Sequence, residues 1–132
     1  MKKYFTLLIG LILMAKSFAD IVEYSSGAKK YFDSNPAKVA MAIKLTDQNS
    51  WAKCVNVWTS MVAAEVRGQK LDDNTSATFA LLGEAMGRVR GSFLAKGYSQ
   101  SSLDNLIKSY SGRQLDVPEM RYCNVLINNI TN

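Results

Sequence analysis

The sequence predicts an all-α fold: a single small helical bundle of about five helices with one disulfide. Three observations predict it. After Asp33, apolar residues recur at intervals of three and four, the period of one helix face. Gly68, Gly97 and Gly112 each follow such a stretch, where a helix stop belongs. The chain has two cysteines, Cys54 and Cys123, and each falls on the apolar side of its stretch. No alternating apolar–polar run is long enough for a sheet.

The N-terminal stretch MKKYFTLLIGLILMAKSFA reads as an export signal. It has a basic start (Lys2, Lys3), an apolar run from Tyr4 to Ala15, and small residues at Ser17 and Ala19, so residues 1–19 are expected to be removed after Ala19. The apolar run is short for a membrane span, and no second long apolar run follows. The expected location is the periplasm, with no membrane association after cleavage. The helical domain is then 20–132, which is 132 − 19 = 113 residues. Removing Lys2, Lys3 and Lys16 leaves 16 − 3 = 13 basic against 11 acidic residues, about +2. That balance, without a Lys/Arg cluster, argues against nucleic acid as a partner.

In an oxidising compartment two cysteines pair by default. Cys54–Cys123 closes 123 − 54 = 69 positions. The chain-entropy account gives such a bridge about 4 kcal/mol, a large part of the roughly 5–15 kcal/mol that holds a domain folded.

The elements follow in order. Residues 20–32 (DIVEYSSGAKKYF) are ambiguous, with a short helix at their end as one reading. Asp33-Ser34-Asn35-Pro36 starts the first helix, with proline at its first position, and Val39, Ile43 and Thr46 lie near one face. The second helix runs from Asn49 or Ser50 to Arg67, with Ser50 as its cap; Trp51, Cys54, Val55, Trp58, Met61, Val62 and Val66 form its stripe. Residues 68–76 read as a polar loop. The third helix continues to about Lys96 on a stripe of Phe79, Leu82, Met86, Val89 and Phe93. Its Gly83, Gly87 and Gly91 are spaced four apart and predict a flat helix-packing groove. Either a neighbouring helix of the same domain or a partner chain fills that groove. The fourth helix opens at Ser101 or Ser102, with Ser101 and Asp104 as a capping box, and ends at Gly112. The fifth starts at Asp116-Val117-Pro118 and carries Met120, Cys123, Ile127 and Ile130 on one side. The bridge therefore ties the second helix to the fifth.

Chemistry is sparse. Histidine is absent, which removes the commonest general base and metal ligand. No phosphate-cradling, zinc or calcium motif occurs, so no metal and no cofactor is expected. Ser26-x-x-Lys29 and Ser50-x-x-Lys53 match the serine–lysine spacing of acyl-transferases but lack its companion motifs. The chain is not expected to be an enzyme. Partner-binding candidates are surface groups: Arg88 and Arg90 with Lys96, Tyr98 and Arg113, and Asp72 and Asp73 in the polar loop. Arginine and tyrosine are favoured in protein interfaces.

With KCVNVW beginning a helix, the middle helix ATFALLGEAMGRVRG, SSLDNLIKSY with Leu103, Leu106, Ile107 and Tyr110, and MRYCNVL carrying the second cysteine, the chain resembles the periplasmic type VI secretion amidase immunity proteins over residues 50–128. The resemblance implies a partner that is a secreted, peptidoglycan-cleaving amidase toxin, inhibited by occupation of its catalytic groove, and a homodimer. A second likeness is to the HdeA/HdeB acid-stress chaperones, whose start NSWAKC resembles. With all 11 carboxylates protonated and neutral, the 13 basic residues would give the domain about +13, and self-repulsion at low pH would open it.

Overall fold

The computed structural model describes residues 23–69, 71–112 and 117–132. The export signal expected over 1–19, and Arg113, lie outside them. The described residues form six helices, one more than the sequence reading: α1 (23–33), α2 (Pro36–Leu45), α3 (Gln48–Val66), α4 (Asp73–Ala95), α5 (Gln100–Tyr110) and α6 (Val117–Thr131). The extra helix is α1. Its apolar side holds only two buried residues, Ala28 and Phe32, one turn apart, too few to register as a period.

Helix ends are set by local chemistry. Gly68, Gly97 and Gly112 all have positive φ (89°, 98° and 78°), the left-handed geometry that stops a helix and suits glycine. The caps of α3, α4 and α5 lie two to four residues before the predicted starts. The cap of α3 is Asp47, whose carboxylate accepts from the Ser50 N–H at 2.7 Å, so Ser50 is the capped residue. The cap of α4 is Asp72, accepting from the Thr75 N–H, which shortens the predicted 68–76 loop. The cap of α5 is Ser99, accepting from the Ser102 N–H, and Asp104 is turned elsewhere. A carboxylate or hydroxyl before the first turn satisfies amides that have no partner within the helix. In α2 Pro36 takes the first turn as expected, while the Asn35 side chain donates back to the Tyr31 carbonyl at 2.7 Å and joins α1 to α2.

Helix α3 is the centre of the bundle, packed against α4, α5 and α6; α2 lies against α4 and α6. Cys54 and Cys123 are bonded (Cα–Cα 5.6 Å) and fully buried, which fixes α3 to α6 as the two inward stripes require. Around the bridge lie Trp51, Val57, Leu82, Met86, Val89, Leu103, Ile127 and Ile130. All five stripe residues predicted for the α4 segment are buried. The Trp51 indole N–H donates to the Met86 carbonyl at 2.9 Å, so the one polar atom of that ring enters the core with a partner. Its ring meets Phe93 edge-on, centroids 5.8 Å apart.

Candidate functional site

The residues singled out from the sequence are bound into the fold. Arg88 donates through Nε to Glu84 (2.8 Å) and through Nη2 to Asp33 (2.6 Å), clasping α1 to α4. Asp33 also accepts from Lys29 at 3.0 Å. The Arg88 hydrogen bond, and then that of Lys29, hold the Asp33 carboxyl below its ordinary value. Arg90 pairs with Asp104 at 3.0 Å, bracing α4 on α5, and its guanidinium lies 5.9 Å from the centre of the Trp51 ring. Tyr98 sets its ring edge-on to Phe93 at 5.6 Å and leaves a half-exposed face.

Asp72 and Asp73 stand at the other end of α4. From residue 72 to residue 90 the helix rises about 27 Å at 1.5 Å per residue. The structure therefore sets Arg90 and Tyr98 against the two members of the Trp51–Phe93 ring pair, and does not bring them together with the two aspartates. The Asp72 carboxyl is held below its ordinary value by the Thr75 N–H it accepts from. Asp73 accepts the Tyr24 hydroxyl at 2.8 Å.

The glycine strip divides in two. A Cβ built on Gly83 would fall inside the Trp58 indole, 2.6 Å from Cε2. A side chain of the neighbouring α3 thus fills the groove there, so of the two expected occupants it is a helix of the same domain at Gly83. Gly87 and Gly91 have nothing within 4 Å of an added Cβ. A pocket of about 170 Å³ remains beside Trp58 and Gly87, with Ser25 and Glu84 on its rim; Glu84 is engaged by Arg88.

Neither serine–lysine pair forms a reactive couple. Lys29 is paired with Asp33, and Lys53 extends over the Tyr110 ring, 5.7 Å from its centre. Ser50 Oγ lies 2.7 Å from the Tyr122 hydroxyl. Among the described residues no cluster of three or more His, Cys, Asp or Glu side chains is arranged to hold a metal, and no helix is long and apolar enough to cross a membrane.

The feature that the sequence did not reveal is a cleft of about 360 Å³ between the first turns of α4 and the N-terminal half of α6. Phe79 and Met120 supply its apolar surface. Asn74 and Thr78 form the α4 rim, and Arg121 and Asn124 the α6 rim. The rims belong to segments more than 40 residues apart in sequence (121 − 78 = 43). Thr78 donates to the Asn74 carbonyl one turn back. The side chains of Asn74, Arg121 and Asn124 form no hydrogen bond or ion pair with other described residues. Arg121 is the only charged group among the described residues that line the cleft. Its α6 rim is anchored to α3, because Arg121 and Asn124 flank the buried, bridged Cys123.

Comparison of the chain with protein-family models, with curated proteins and with solved structures returns no match.

Proposed function

We propose that this chain is a periplasmic immunity protein that binds a peptidoglycan-cleaving amidase toxin, of the kind delivered by type VI secretion, and inhibits it stoichiometrically. The observation that carries the reading is the distribution of chemistry on the described surface. The core is stapled and full, while unspent polar groups converge on an open cleft built on the stapled helix. An open, mixed polar and apolar concavity suits a macromolecular surface better than an enclosed small substrate. A body held by an internal crosslink loses little freedom on binding, which lowers the entropy cost of tight association. The order of buried stripes and the α3–α6 bridge also agree with the residues on which the family resemblance rests.

The test is inhibition. The purified 20–132 form is titrated into the purified product of the gene immediately upstream, expected to be the amidase, and release of peptide from purified peptidoglycan is followed. The expected result is complete loss of activity at one chain per toxin. Undiminished cleavage at a tenfold excess, together with protection of an aggregating client near pH 3, would replace this reading with the acid-chaperone one.

A further inference from the structure

The α4–α6 cleft has a specific chemistry. Two primary amides, Asn74 and Asn124, face it from opposite rims, and each offers both a donor and an acceptor. That is the complement of a peptide group, which also offers one of each. Arg121 adds donors only and has no acidic partner among the described residues. The carboxylates of the nearby α4 start are already committed, Asp72 to the Thr75 N–H and Asp73 to the Tyr24 hydroxyl. Phe79 and Met120 provide an apolar surface on which a side chain rests, and methionine adapts to its shape.

We propose that this cleft receives an extended peptide segment of a protein partner. The segment's main chain bonds to Asn74 and Asn124, and a carboxylate side chain of the segment pairs with Arg121. Charge complementarity selects the occupant. A neutral saccharide would satisfy the amides and leave the guanidinium without an anion, whereas a carboxylate-bearing peptide satisfies all three groups. The inference deepens the inhibitor reading by naming the part of the surface that docks, and it stands or falls separately from it.

The experiment uses phage-displayed random dodecapeptides panned on the folded 20–132 chain, with enriched sequences made as soluble peptides. In ¹⁵N spectra these are expected to shift amides of residues 74–79 and 120–125. Arg121→Ala, and replacing the peptide's carboxylate by an amide, are each expected to weaken binding about tenfold or more, since a hydrogen bond to a charged group is at stake; Asn74→Ala, on the opposite rim, is expected to weaken it about threefold to tenfold, since its bonds to the main chain are between neutral groups. Both positions are exposed, and unchanged thermal melts will show that the variants fold. No enrichment, shifts confined to other surfaces, or equal affinity for wild type and both variants would overturn the proposal. So would cleft shifts caused only by soluble N,N′-diacetylchitobiose, a neutral disaccharide, which would assign the cleft to glycan. Toxin inhibition that survives both variants would sink the cleft and leave the inhibitor reading intact; cleft-dependent peptide binding without toxin inhibition would do the reverse.

Discussion

Helix α6 meets two neighbours in opposite ways. Against α3 the seam is closed by a covalent bond, with both sulfurs fully buried. Against the start of α4 the seam opens into a cleft with amides and a guanidinium on its rims. Helix α4 repeats the contrast along its own length: Trp58 fills the strip at Gly83, and nothing covers it at Gly87. The difference teaches that rigidity and availability sit within one helical turn of each other, the first fixing the geometry of the second.

The comparison breaks most completely if the closed seam is cut. The Cys54→Ala/Cys123→Ala pair is expected to lose about 2–5 kcal/mol of stability, read as a lower urea midpoint than that of the oxidised wild type. The pair Gly83→Ala and Gly87→Ala sharpens it next. The first sets a methyl group into the Trp58 indole and is expected to cost about 1–3 kcal/mol. The second adds a methyl group in open space and is expected to gain about 0.5–1 kcal/mol by removing a glycine from a helix interior. If Gly83→Ala melted with the wild type, the filled half of the strip would be misassigned.

Acid gives a smaller effect. Asp33, Asp47 and Asp72 all sit below their ordinary value of 3.8, chiefly through hydrogen bonds to Arg88, to the Ser50 N–H and to the Thr75 N–H respectively. A lowered native pKa means that the ionised form is the one the fold favours. Their contribution is present in full above about pH 5 and is lost as pH falls below 3.8 through the lower native values. Urea midpoints between pH 7 and pH 2 should therefore be level down to about pH 5 and then decline. A decline already under way between pH 7 and 5 would point to groups other than these. The smallest effect belongs to the open seam, where Asn124→Ala is expected to leave stability within about 0.5 kcal/mol of wild type, because its side chain forms no hydrogen bond or ion pair with other described residues.

Much of the closed seam was legible in the sequence. Phe79, Leu82, Met86, Val89 and Phe93 announce a buried stripe by spacing alone, and the two cysteines lie on such stripes. Helix stops were legible because a glycine with positive φ does that work locally. The starts of α3, α4 and α5 were not, since several polar residues compete for each cap: Asp47, Asn49 or Ser50; Asp72 through Ser76; Ser99, Ser101 or Ser102. In each case the earlier residue wins, which in α4 adds a turn to the helix and carries Asn74 to the edge of the cleft. The roles of Arg88 and Arg90 depend on Asp33 and Asp104, acids that only the folded chain brings within 3.0 Å. The cleft itself joins segments far apart in sequence, so no local pattern announces it.

The bridge has a mechanical consequence as well. It ties off a covalent ring with a sequence separation of 69 residues, leaving α1 and α2 outside. Tugged by its two ends, the polypeptide would unravel only in its tails. The ring would withhold about 240 Å of contour length, at roughly 3.5 Å per residue, until a reductant opened it.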